Sequence, residues 1–473
     1  MLRLVRTLLL VAAATALHPA GAAEIRDVPA FSASPRELQA AATAIERDTP
    51  SDVVILLDER RYSFDEQHRI TVSSRMIYRV DSPDGVANWA ASSAAWQPWY
   101  QAKPRIRARV ITKDGREHLL DQGLLRDAAS RSGDNQIYDD THVTQGPLPA
   151  IEVGAIVEEE ITLRDEKPFF SAGAVYREYI GRPVPVLHTR VIIDAPESLP
   201  LKREVRLLPN AQITEARTAG RVTWTLNHAL IEAQDAMAAN LPPDKPSWAS
   251  VEFSTGASWE SVAATYLEMT EPRIRKDDAR PLLAGLKSPL PRSVSRDYIA
   301  RVVERLHREV RYTGVEFGEA RIVPEYPAET LRRKFGDCKD KSTLLVAALR
   351  ASGIEAYLAL LSAGSGQDVL PTLPGLGLFN HAIVYIPATS PGDQDLWIDA
   401  TTEYARVGTL PAADANRLAL VIRPGEKELM RTPGMKSADN AQIETREFYL
   451  SEYGPSRMVE TTETRGTVEL EYR

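Results

Sequence analysis

Between about residues 50 and 230 the apolar side chains recur at every second position. Ile70, Val72, Met76, Tyr78 and Val80 alternate with polar neighbours, Ile106, Ala108 and Val110 alternate with arginines, and Val222, Trp224 and Leu226 alternate with Thr223, Thr225 and Asn227. A period of two belongs to the pleated strand, whose successive side chains face opposite sides, so this stretch is confined to half-buried strands. Asp114-Gly115 between two such runs marks a hairpin turn, because glycine accepts positive φ without strain. Many short strands separated by turn signals predict an all-β sandwich.

The pattern breaks at LPPDKPS, residues 241 to 247, and the period then becomes helical. Trp259, Val262, Ala263, Tyr266 and Leu267 follow Ser258, and Ile299, Val302, Val303, Leu306 and Val310 follow Ser295, each serine placed as an N-cap. A third helix is expected to start at Cys338, with Leu344, Leu345, Ala348 and Leu349 as its apolar stripe and Gly353 as its stop. AYLALLS (356 to 362), HAIVYI (381 to 386) and DLWIDA (395 to 400) have strand composition, so residues 250 to 425 read as α+β. After residue 435, IETREFYL and the alternation of Val468, Leu470 and Tyr472 with Glu469 and Glu471 predict further strands, the opening of a β-rich unit over 436–473 that is incomplete here.

With 473 residues, 43% hydrophobic and 26% charged, the chain is long enough for two or three ordinary cores and is not disordered by composition. Residues 1–23 place Arg3 and Arg6 before an apolar run from Leu8 to Leu17 and a small-residue stretch around Ala20, Ala22 and Ala23, the pattern of a secretory signal peptide. The expected product of cleavage is periplasmic or secreted, without an integral membrane segment. Its formal charge moves from −8 to about −10, which argues against a nucleic-acid partner. No nucleotide loop, zinc spacing or EF-hand pattern is present, so neither a cofactor nor a metal is implied; GDNQIYDDTH (133 to 142) is acidic but lacks regular ligand spacing.

One cysteine in an exported chain cannot form an internal disulfide, so it is either buried or used. Cys338 stands in FGDCKDKSTLL at a predicted helix start, where unpaired backbone N–H groups and the helix dipole favour a thiolate; Lys339 and Lys341 assist and Asp337 and Asp340 oppose. A cysteine nucleophile needs a base, and the α+β segment offers His307, on an amphipathic helix, and His381, at a strand start. If the strands holding His381 and Asp399 form a hairpin turning near Ser390, the two residues face each other, which completes a Cys338, His381, Asp399 triad. Trp397 should share the strand face of Asp399 and either shield the site or pack in the core. The apolar loop from Leu370 to Phe379 reads equally as a lid, a substrate wall or a plain connection.

The order of GDCKDKSTLL, FNHAIVYI and LWIDAT resembles the transglutaminase-like superfamily, over about residues 255 to 425, and RYTGVEFGEARIVPEYPAETL is similar to the lead-in of bacterial members. The preceding β region is similar to an N-terminal domain of unknown function that accompanies such exported domains. The resemblance implies a multidomain chain: a β-sandwich over 24–245, a papain-like α+β domain over 250–425, then the β-rich segment. It implies that Cys338 attacks an amide or peptide carbonyl, that His381 carries the proton and that Asp399 orients it. Tyr312 joins the Cys338 N–H as a side-chain candidate for the oxyanion site. Peptide or protein substrates, including those of the cell envelope, follow; hydrolysis and acyl transfer differ in whether water or an amine resolves the thioester. The rival reading is a catalytically inactive envelope-binding scaffold.

Overall fold

A computed structural model describes residues 25–44, 50–130, 137–234, 241–242, 244–246, 248–286, 295–364, 366–390 and 393–472. The expected signal peptide therefore lies outside the described residues, as do parts of the 241–247 connection and of the 133–142 loop.

The N-terminal part begins with helix α1 (Pro35–Thr43) and is built on an eight-stranded sheet. Its strands are β1 (Val53–Phe64), β2 (Ile70–Val80), β3 (Arg105–Ile111), β4 (Glu117–Leu119), β5 (Ile156–Arg164), β6 (Thr189–Pro196), β7 (Gln212–Thr218) and β8 (Arg221–His228), in the order β7-β8-β6-β1-β2-β5-β3-β4. β1 and β6 run parallel, and the other pairs are antiparallel. The expected Asp114-Gly115 turn joins β3 to β4, with Gly115 at φ 85°.

The period of two sorts the side chains of this sheet. Tyr62, Phe64, Ile70, Trp224 and Leu226 pack on a smaller sheet of Val175–Tyr179, Ser250–Ser254 and Lys202–Arg206, while Leu57, Ile77, Ile111 and Ile156 meet Leu38, Ala41 and Ala42 of α1 on the opposite face. A bulge between Ile55 and Leu57 reverses the alternation within β1, so Ile55 and Tyr62 share a face despite their numbering. A third sheet of Ala91–Trp96, His142–Pro147 and Arg126–Ala129 completes the sandwich. Its second layer extends past the proline-rich connection, because Ser250–Ser254 is the central strand of the first smaller sheet.

The α+β part contains α2 (Trp259–Thr270), α3 (Arg296–Glu309), α4 (Pro327–Arg333) and α5 (Cys338–Ala351). Ser258 and Ser295 cap α2 and α3, accepting bonds from the Ser261 and Tyr298 N–H groups, and Gly353 at φ 79° follows the end of α5. The sheet is antiparallel, in the order β11-β10-β9-β12-β13, from β9 (Tyr357–Leu361), β10 (His381–Ile386), β11 (Leu396–Ile398), β12 (Leu418–Ile422) and β13 (Met430–Arg431). α5 is buried from Lys339 to Leu349 and lies between α3 and the sheet. Each fully buried leucine there contributes about 1.5 to 3 kcal/mol, which holds the N-terminus of α5 against β10.

Beyond residue 436 the chain makes an exposed hairpin of Ala441–Tyr449 and Arg457–Arg465. Val468–Glu471 forms a helical turn, not the strand its alternation predicted, and it joins none of the sheets among the described residues. No helix among the described residues is long and apolar enough to cross a membrane.

Candidate active site

The sulfur sits where the local sequence forces a helix to begin. Asp337 adopts an extended conformation and its carboxylate accepts the Asp340 N–H at 3.1 Å, so Cys338 is the first residue of α5. A glycine at 336 is required because a Cβ there would stand 2.7 Å from Cβ of Asp340. Cys338 is partly exposed and lines a cavity of about 560 Å³, together with His381.

His381 opens β10, and β10 is tied to α5 by the Ser342 hydroxyl, which donates to the Ala382 carbonyl at 2.9 Å. Its Nε2 lies 3.2 Å from Oδ1 of Asp399. Burial works against a charged imidazole, but the Asp399 carboxylate and, after it, the hydrogen bond and charge of Cys338 raise His381 well above its ordinary value. With Nε2 engaged by Asp399, Nδ1 is the nitrogen left to serve the sulfur. The structure thus brings Cys338, His381 and Asp399 into one contact chain.

The register behind this differs from the expected one. Val384 pairs with Ile398, Tyr385 with Trp397 and Ile386 with Leu396, so continuing the ladder would set His381 opposite Thr401, two residues beyond Asp399. Asp399 reaches His381 diagonally because the ladder ends at Ile398 and a turn follows. That turn fixes the carboxylate: Oδ1 accepts the Thr401 N–H at 2.8 Å and its hydroxyl at 2.7 Å, and Oδ2 accepts the Thr402 hydroxyl at 2.6 Å. Burial alone would raise this acid, but His381 and these donors hold it well below the usual carboxylate range. The two threonines were missed in the sequence, although Asp-x-Thr-Thr after a strand is a legible turn signal.

Asp414 was missed as well. It is 1% exposed, with Oδ2 3.9 Å from Nε2 of His381 and without a hydrogen-bond partner. Burial and the neighbouring Asp399 push its carboxyl up to about 7. His381, Asp399 and Asp414 offer three ligand-type atoms within 4.8 Å of one another. The threonine and backbone donors already on Asp399 occupy lone pairs an ion would need, so the grouping reads as a proton-handling cluster.

The remaining candidates separate. Tyr312 is half-buried beside Gly336 and does not line the cavity; burial, followed by the charges of Cys338 and Asp337, raises its phenol. Trp397 is buried in the cluster with Ile383, Leu410 and Val421, its ring 4.8 Å from that of Tyr385, and does not line the cavity. His307 faces Lys341, its Nδ1 3.3 Å from Nζ. Lys339 is buried and ion-paired with Asp337 and, at 3.6 Å, with Glu316.

The Leu370–Phe379 loop is a wall. Leu376, Gly377 and Phe379 line the cavity, and the loop is fastened to the β domain through Val175 N–H to Leu376 O at 2.6 Å, Leu376 N–H to Gly173 O at 3.1 Å, and the Ser254 hydroxyl on Pro374 O. The β domain closes the cavity with Tyr100, Asp165, Phe169 and Tyr176.

This architecture has named counterparts. Residues 66–234 match the domain of unknown function DUF3857, and residues 280–372 match the model of the transglutaminase-like superfamily, a span that contains Cys338 and stops short of His381 and Asp399. The chain therefore joins a DUF3857 domain to a transglutaminase-like domain. A crystal structure described as a "putative protease" from Parabacteroides distasonis has a TM-score of 0.59 at 16% identity, covering 77% of this chain and 73% of that one, and shares its fold. The zebrafish Fcho1 mu homology domain with bound Eps15 peptide, at 15% identity over 45% of this chain and 82% of that one, has a TM-score of 0.11 and carries no argument. No curated protein matches the sequence.

Proposed function

We propose that this protein is a cysteine-dependent amide or peptide hydrolase or acyltransferase working outside the cytoplasm. The observation that carries the reading is His381, engaged on one side by Asp399 at 3.2 Å and on the other by Cys338. The thiolate adds to a substrate carbonyl and forms the C–S bond; the imidazolium gives its proton to the departing amine as the C–N bond breaks. Water or a second amine, deprotonated by His381, then attacks the thioester and releases the sulfur. The Cys338 N–H, at the positive end of α5, and the Tyr312 hydroxyl are the donors we assign to the developing oxyanion. The extracytoplasmic setting rests on the signal-like residues 1–23.

Iodoacetamide labelling of the lone thiol across pH tests this reading. Labelling that remains fast at about pH 6, some two units below an ordinary thiol, and collapses in His381→Ala establishes an activated sulfur. A profile that follows an ordinary thiol and ignores the substitution removes catalysis.

A further inference from the structure

The β domain puts a carboxylate into the reaction cavity. Asp165 stands at the end of β5, is 4% exposed, and lines the same cavity as Cys338 and His381. Its backbone N–H is used on Ile70 O at 2.8 Å, and Oδ1 accepts from Gln101 Nε2 at 3.1 Å. Among the described residues no lysine, arginine or histidine forms an ion pair with it, whereas the cavity's other charges are matched: Glu316 to Lys339 and Arg321 to Asp139, each at 3.6 Å. A buried carboxylate without a cation is costly, and burial opposed only by the Gln101 bond pushes Asp165 up to about 7. The aromatic rings of Tyr100, Phe169 and Tyr176 line the same space; a π face attracts a cation, so they complement the carboxylate.

We propose that Asp165, with the rings of Tyr100, Phe169 and Tyr176, is a cation subsite that seats an ammonium group of the substrate while its acyl carbon is handled at Cys338. The inference rests on Cys338 being the reacting group and narrows the substrate class to amines and amino-bearing amides or peptides. It also gives the DUF3857 domain a direct part in recognition, through a residue outside the transglutaminase-like domain.

The test uses three methanethiosulfonate reagents of similar size carrying a trimethylammonium, a neutral alkyl or a sulfonate group. Their rates of modifying the wild-type protein at pH 8.5 are followed by intact mass and divided by their rates with 2-mercaptoethanol. An ordinary thiol is half ionised at that pH, so the comparison yields rates even if His381 does not activate the sulfur; that separate failure would appear only in the iodoacetamide profile. We expect the cationic reagent to exceed the neutral one by about 10-fold or more and the sulfonate to fall below both, as a nearby desolvated carboxylate demands. In Asp165→Asn the cationic-to-neutral ratio should fall to about one, and the ratio cancels any general change in thiol reactivity. Equal corrected rates in the wild type, or a preference that survives Asp165→Asn, would overturn the proposal. If Asp165→Asn does not fold, equal corrected rates in the wild type still overturn the proposal, and Asp165→Ser supplies the second variant in which the ratio should fall to about one.

Discussion

Oδ2 of Asp414 lies 3.9 Å from Nε2 of His381, the nitrogen that Asp399 already engages at 3.2 Å. Two carboxylates and one imidazolium in a buried space carry one uncompensated negative charge, and the structure resolves this unequally. Asp399 collects hydroxyl and amide donors and stays ionised, while Asp414, with no donor on Oδ2, holds its proton up to about pH 7. Asp414 therefore stands beside the His381–Asp399 pair as a buried carboxyl that burial and the Asp399 charge keep protonated.

Asp414→Asn tests that division. The folded Asp414 binds its proton more tightly than the unfolded chain, so its contribution to stability declines as pH rises from about 4 to about 7, and the full cost of ionising it applies above that range. An asparagine keeps the shape of the protonated carboxyl and does not titrate. The variant should therefore gain stability relative to the wild type by about 1 to 3 kcal/mol on going from pH 5 to pH 8. Urea unfolding at both values measures the change, and a difference independent of pH would remove the protonated carboxyl from the account.

Asp399→Asn keeps the shape of the site and changes what Nε2 of His381 meets. The imidazolium loses its counter-charge, and the amide can present N–H groups where an acceptor is needed. Iodoacetamide labelling at neutral pH should slow by on the order of 10² to 10⁴. Thr402→Val removes one donor from Oδ2 and should cost about 10-fold, with the labelling profile moved along the pH axis. Labelling by Asp399→Asn at the wild-type rate would show that the 3.2 Å contact is structural.

How far the sequence led depended on whether a feature was periodic. The strands of the sandwich, the helix that begins at Cys338 and the stop at Gly353 follow from side-chain spacing, and their apolar faces are the buried ones. Spacing could not reveal Asp414, in a loop 33 positions from His381, or Asp165, which comes to line the cavity of Cys338 only through the packing of two domains. The same limit explains Trp397: alternation assigns a side, but Asp399 lies past the last paired residue of β11, while Trp397 lies deeper under the sheet against Tyr385. In β1 a one-residue bulge between Ile55 and Leu57 shifts which side chains share a face, and spacing carries no signal for it.

Two histidines should weaken the fold in acid. Burial, aided by the Lys341 ammonium for His307 and by Arg26 for His188, pushes both down to about 4. They stay neutral in the folded chain while the unfolded chain takes up protons from about pH 6.5 downward, so stability is lost between about 6.5 and 4. After allowance for solvent screening, each contributes about 1 to 2 kcal/mol of that loss. His381 has the opposite sign, because its raised folded value gives stability that is complete below about pH 6.5 and lost only at higher pH. His307→Gln should flatten the acid limb of a plot of melting temperature against pH, and an unchanged limb would show that His307 titrates freely in the fold.

The contact between the two domains is rigid enough to be tested with one methyl group. A Cβ at Gly256 would stand 2.2 Å from the Pro374 carbonyl oxygen, and the neighbouring Ser254 hydroxyl bonds that same carbonyl. Gly256 does not need positive φ, so Gly256→Ala introduces the clash without backbone strain. The 370–379 wall must then move away from the β domain, at a cost of about 1 to 3 kcal/mol for overpacking. Since Leu376 and Phe379 belong to that wall, the cavity should widen while the cluster behind His381 keeps its geometry. Thermal unfolding should show the stability loss, and the cationic reagent should lose its advantage over the neutral one at Cys338 while iodoacetamide labelling stays within about 3-fold of the wild type. A variant that loses iodoacetamide reactivity as well would mean that the wall also holds His381 in place through its neighbour Asn380, whose side chain is bonded to Ala363 on both its oxygen and its nitrogen.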